Sequence, residues 1–427
     1  MESPSRYPLL QRRYVLLKCI VLFLALIRPL HACPLCEALS STLRDDLQAA
    51  SAALIGKVLA CSPTEVPGVY LIRLSEEITW LKRADVSPRE IRLQSLTEIP
   101  RGTQILVLGF DANCEREEAV QPSDSRRDSL QGRGGIVKEW IWVPPVVITV
   151  QTAKYLLSMP SPDAPEEERL LFFFEHLGSS EPLVSDDAYN ECARASLETV
   201  QSRFFLEHVD LAEVIAKLRD IETPDKYKSF YWMLLAEKGS VEHRSLFDEL
   251  AGPWLKVGQT DSDQTETRLI EYPPWIPAAI ATFVRLGGES AIQEVEATVF
   301  KNPQVDMPLV FSAVSAFRAL GNELKPVERN RLARSFEILL EQPRVADLII
   351  ADLARWEHWT VISKLRKLFL DVDPETTFVR TPIITFMRSC PLPEAAEELD
   401  RMRAEDPKAY RRSVTLLPTI DHAAAPK

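Results

Sequence analysis

Glycine is scarce in this chain: 14 residues in 427, against 31 prolines. That scarcity excludes a collagen-like repeat and a glycine-rich nucleotide-binding fold. No GxxxxGK[ST], GxGxxG or GxSxG is present, and no HExxH. Phosphate loops, nucleophile elbows and zincin-type metal sites are therefore not signalled. Basic residues are outnumbered, 50 Lys and Arg to 62 Asp and Glu, giving a formal charge of −12. Such a balance excludes a nucleic-acid coat, which needs clustered cations. No unbroken apolar run approaches the roughly 20 residues of a bilayer span.

The chain does hold 46% hydrophobic and 26% charged residues, the make-up of a soluble globular protein. Its length predicts two domains or a repeat array. Residues 1–32 read as an export signal. Arg12, Arg13 and Lys18 form a basic start, Cys19 to Ile27 an apolar core, and Leu30-His31-Ala32 a small-residue cleavage site. Cleavage after Ala32 removes one acid and five bases and leaves a chain of charge −16. The alternatives are an uncleaved signal retained as an anchor, and lipidation at Cys33, which follows Leu30 and Ala32 as in a lipobox.

Six cysteines remain after cleavage, and Cys33, Cys36, Cys61 and Cys114 cluster early. In an exported chain four such residues read as a disulfide set of open connectivity. Cys192 and Cys390 sit in apolar helical contexts and read as free thiols.

Residues 33–157 read as a first domain. Cys36 to Ala50 is helical by its Leu39, Leu43, Leu47 stripe. Strands are predicted over Ala52–Ala60, Gly68–Leu74, Arg89–Leu96 and Gln104–Phe110, with a fifth at Glu139–Val143 that sets Trp140 and Trp142 on one face. Five short strands and a helix suggest a small OB-like β-barrel. Residues 115–135 are polar and read as a mobile loop.

After a Pro- and Glu-rich boundary at 158–168, with Pro165 opening a helix, residues 165–413 are helical in period and repeat themselves. The apolar anchors Leu234, Phe283, Phe317, Leu353 and Phe386 recur at separations of 49, 34, 36 and 33. The widest gap holds a polar insert, Gly258 to Thr267. This is the signature of a HEAT-like α-solenoid. The fold class is α+β, a β-barrel followed by a helical array, with a tail at 414–427.

Candidate chemistry is thin. Cys33-Pro34-Leu35-Cys36 could act as a redox pair if Cys36 opens a helix, but the strand that precedes such a motif in thioredoxin-like folds is missing. None of the five histidines left after cleavage falls at a metal-ligand spacing, and no cofactor or metal is implied. Asp347, Asp352 and Glu357 share a helical stretch and read as a solvated face. Trp356, His358 and Trp359 could line a groove for a protein partner, or one Trp could plug the gap between stacked repeats.

The stretches ACPLC, LIGKV, DDAYNECARAS, VADLIIADLARWEHW and VRTPIITFMRSCPLPEA together resemble a family of uncharacterised exported proteins of planctomycete bacteria. That resemblance spans nearly the whole chain after the signal and implies architecture and origin, not an activity. Residues 33–110, with Cys33 first, a GKV strand and an ILVLGF strand, also resemble the netrin-like OB domain of the tissue inhibitors of metalloproteinases. The second resemblance implies that the amine and carbonyl of Cys33 would chelate a protease zinc. The expected function is a non-catalytic binding or scaffold protein of the cell envelope with a protein partner. The alternatives are a metalloprotease inhibitor acting through Cys33 and a thiol-disulfide oxidoreductase using Cys33 and Cys36.

Overall fold

The computed structural model describes residue 36 and residues 41–83, 91, 93–111, 140–257, 271–324, 327–372 and 377–415. The chain divides into two compact units, one over Ala38–Ala195 and one built from Ser196 onward.

The first unit joins one antiparallel sheet to helices. Helix α1 (Leu43–Ala49) leads into β1 (Ala52–Pro63). Then come β2 (Tyr70–Lys82), β3 (Leu93–Ser95), β4 (Gln104–Asp111), β5 (Trp140–Trp142) and β6 (Val146–Val147). The spatial order is β3-β2-β1-β4-β5, with β6 also paired to β4. Helices α2 (Val150–Ser158), α3 (Glu166–His176) and α4 (Pro182–Arg194) complete the unit.

The apolar runs of β1 and β4 are those of central strands buried on both faces. Leu54, Val58, Ile105 and Val107 pack with Ile72, Leu74 and Leu93 on one face. Ala53, Ile55 and Leu106, pointing the other way, are buried as well. Trp140 and Trp142 do share a face, with ring centroids 5.5 Å apart.

The expected β-barrel is corrected: the sheet is open. Its edges are β3 and β5, three residues each. Closure needs strands long enough to pair around the whole circle, and the length here sits in the β1–β2 hairpin, whose pairing is broken by three register shifts that add twist. The expected helix start at Cys36 is also corrected. Helix α1 begins at Leu43 because Thr42 caps it, its hydroxyl accepting from Asp45 N while the Asp45 carboxylate accepts from Thr42 N.

The second unit is helical throughout its described residues. Three short helices, α5 (Leu197–Val200), α6 (Arg203–His208) and α7 (Leu211–Arg219), precede α8 (Asp225–Lys238). A 3-10 turn runs into α9 (Ser245–Leu250) and α10 (Gly252–Val257). Next come α11 (Ile276–Val295), α12 (Met307–Ala319), α13 (Arg329–Leu339) and α14 (Pro343–Arg355). The last four are α15 (Ile362–Asp371), α16 (Thr377–Ser389), α17 (Pro393–Glu405) and α18 (Pro407–Thr415).

Helix α11 is two arms: Gly288, at φ 59°, kinks it where a side chain would be strained. Helices α8, α11, α12, α14, α16 and α18 pack each on the next, and α13, α15 and α17 pack against them. All five repeat anchors, Leu234, Phe283, Phe317, Leu353 and Phe386, are buried. Each supplies roughly 1.5–3 kcal/mol of apolar burial, which a lone helix pair could not achieve.

Candidate functional site

In the first unit α1 is fastened to α4 by a polar zipper. Asp187, Glu191 and Arg194 lie at i, i+4 and i+7 on α4 and therefore share one face. They meet three consecutive residues of α1. The Leu43 backbone N–H donates to Asp187 Oδ1 at 2.6 Å. Arg44 pairs with Glu191 at 2.5 Å, and Arg194 pairs with Asp45. From α2, the Tyr155 hydroxyl donates to Asp187 Oδ2 at 2.6 Å.

Burial sets the electrostatics of this cluster. Desolvation pushes the Asp187 and Glu191 carboxyls above their ordinary values, against the Tyr155 and Leu43 hydrogen bonds on the first and the Thr42 and Arg44 contacts on the second. The Tyr155 phenol is pushed up by burial and then by Asp187. Burial alone would raise Asp45 too, but the bond and charge of Arg194, with Thr42, outweigh it and hold that carboxyl low. Cys192, fully buried beside Glu191, has its thiol pushed up by desolvation, which leaves it inert. Through these contacts the acids hold the helices of the first unit together.

Beside the zipper lies a cleft of about 560 Å³. Its walls are α1 (Arg44, Leu47, Gln48), the end of β2 (Trp80, Leu81, Lys82), α2 (Leu156, Leu157) and the Met159–Pro162 segment. The Lys82 ammonium donates to the carbonyls of Gln48 at 2.9 Å and Ala50 at 2.5 Å, closing the C-terminal end of α1. Sequence reasoning singled out Leu43 and Leu47 only as members of a helical stripe, and none of the other residues. The only signal was the acid, acid, base spacing within DDAYNECAR.

The residues expected to carry function are placed as follows. Cys33 and Cys114 lie outside the described residues, as does the 115–135 loop. Cys36 is buried, and Cys61 is half-buried and carries a free thiol. Cys61 Sγ instead accepts from the Ile99 N–H at 3.5 Å, inside the sheet core. Cys192 and Cys390 are free.

Trp356, His358 and Trp359 follow one another at the end of α14. Trp356 is 5% exposed, and its Nε1–H donates to Asn322 Oδ1 at 2.8 Å. His358 is buried between Glu337, at 3.3 Å, and the Thr360 hydroxyl, at 3.0 Å. Trp359 packs edge-on against Phe386, 5.1 Å between centroids. The solvated acidic face is corrected at Asp352, which is 1% exposed and held by Arg318 at 2.7 Å and Arg355 at 2.6 Å. Among the described residues no group of three His, Cys, Asp or Glu is placed to hold a metal ion, and no helix is long and apolar enough to cross a membrane.

No family model, curated protein or solved structure matches the chain.

Proposed function

We propose that the chain is an exported, non-catalytic binding or scaffold protein of the bacterial cell envelope that recognises a protein partner through its helical unit. In this reading the helix pairs are HEAT-like repeats stacked into a solenoid. One observation carries it: three polar links between helices join residues one repeat apart. Arg318 reaches Asp352 across 34 positions, Trp356 reaches Asn322 across 34, and Arg331 reaches Glu296 across 35. Contacts that recur at the sequence period are what nearest-neighbour stacking produces.

The charge distribution agrees. The buried acids of this unit, Glu296, Asp352 and Glu398, are each matched to arginine and serve packing. Phe311 on α12 and Phe378 on α16 remain 53% and 56% exposed, large aromatics of the kind that anchor protein interfaces. Export rests on the basic, apolar and small-residue succession of residues 1–32.

The test is affinity capture from an envelope extract with the wild-type chain and with Phe311→Asp/Phe378→Asp, both shown to be folded by circular dichroism. A partner held by the wild type should be lost by the variant. Identical partner sets for several such surface variants would overturn the reading.

A further inference from the structure

The cleft of the first unit carries a chemistry that the helical unit does not need. Its lining is apolar along Leu47, Trp80, Leu156, Leu157 and Met159, and Leu157 is 56% exposed to the open space. Two cations, Arg44 and Lys82, border it, and among the described residues no carboxylate contributes to the lining. The chain as a whole has the opposite balance, with a charge of −12.

The two cations differ in what they have left to offer. Arg44 is matched from behind by Glu191. Lys82 meets no carboxylate among the described residues. Its ammonium is held by the two carbonyls at the end of α1, which fix its position, neutralise no full charge, and use two of its three N–H donors. The remaining donor and the unmatched charge sit at the edge of an apolar hollow. The volume falls within the roughly 300–1,000 Å³ range of small-molecule sites.

We propose that this cleft binds an amphiphilic monoanion, an aliphatic carboxylate whose chain lies along Trp80, Leu156 and Leu157 and whose head accepts from Lys82. The apolar walls give affinity through area removed from water. Lys82 selects the sign of the head group, because a cationic head would face Arg44 and Lys82 with no acid among the described lining residues to receive it. The proposal is independent of the helical unit's partner.

The test is isothermal titration of the full chain with decanoate below its micelle concentration. Acetate supplies the head without the chain, and decyltrimethylammonium supplies the chain with the opposite charge. Decanoate should saturate one site per chain, and the other two should bind at least tenfold more weakly. Lys82→Met, which keeps the stem and removes the charge, should weaken decanoate roughly tenfold, the worth of one charge-assisted hydrogen bond. Leu157→Asp, at an exposed wall position, should abolish saturable binding while leaving the thermal melt in place. Lack of saturable decanoate binding by the wild type would overturn the proposal. So would equal binding of decyltrimethylammonium, or an unchanged affinity in folded Lys82→Met.

Discussion

Trp356 lies flat on Phe336, ring centroids 5.1 Å apart and planes 10° from parallel. The indole comes from the end of α14 and the phenyl from α13, so the stack ties these two helices together. Gly321 lets the ring in: a Cβ added there would sit 2.5 Å from the indole.

This contact sets the first prediction. Trp356→Ala should destabilise the protein by about 3–5 kcal/mol. Trp356→Phe, which keeps an aromatic ring but loses the Asn322 hydrogen bond, should cost less. Gly321→Ala should cost about 1–3 kcal/mol by overpacking. Urea denaturation of the three variants gives the order, and a neutral Gly321→Ala would show that the indole is free to move.

Asp352 offers a test of direction. Its carboxylate is buried, while Arg318 and Arg355 reach partly into solvent, at 36% and 56% side-chain exposure. Removing both arginines as Arg318→Met/Arg355→Met strands a buried charge and should cost about 3 kcal/mol or more. Asp352→Asn leaves two cations that can turn to water and should cost clearly less. Equal losses in denaturant melts would refute this account of the pair.

The zipper between α1 and α4 predicts opposite pH responses from neighbouring acids. The Asp187 carboxyl is raised by burial above its ordinary 3.8. A raised acid favours the protonated fold, so its contribution is complete below that ordinary value and is lost as pH climbs through the raised one. Asp187→Asn, which keeps a carbonyl for the Leu43 N–H, should therefore gain stability relative to wild type from about pH 4 upward. Asp45 behaves in reverse. Its lowered carboxyl stabilises the fold above 3.8, and that share disappears as pH falls through the lowered value. Asp45→Asn should reduce stability at neutral pH and converge on wild type in acid. Chemical denaturation across pH 3–8 measures both, and parallel curves for wild type and Asp187→Asn would contradict the assignment.

Thiol chemistry provides a fourth prediction. Cys192 is fully enclosed and its thiol is raised by desolvation. It should resist Ellman's reagent in the native state and react only on unfolding, whereas the half-buried Cys61 and Cys390 should react sooner. Peptide mapping after timed alkylation separates them. Early labelling of Cys192 would mean that α4 opens readily.

Much of the architecture could be read from local pattern. Strands β1 and β4 announce themselves as apolar β-rich runs, and the helices by apolar stripes, because burial of one face is a local demand. Other elements gave weaker signals. The second half of β2 begins with Ser75-Glu76-Glu77, and its core-facing Ile78 and Trp80 are separated by Thr79, too short an alternation to outweigh the charges. Helix α2 contains Val150 and Thr152, residues that favour strands as readily as helices.

What the sequence alone settled is periodicity: the apolar runs of β1 and β4, the helical character of the chain after residue 165, and the inward-facing anchors from Leu234 to Phe386. What needed the folded chain is every contact between partners distant in sequence. Sheet closure depends on edge-strand length and register, the fate of Asp352 on two arginines from different helices, and the cleft on the three elements that bring Arg44, Lys82 and Leu157 together. Hydrophobic period is a property of neighbours along the chain, whereas charge matching and enclosed space belong to neighbours in three dimensions.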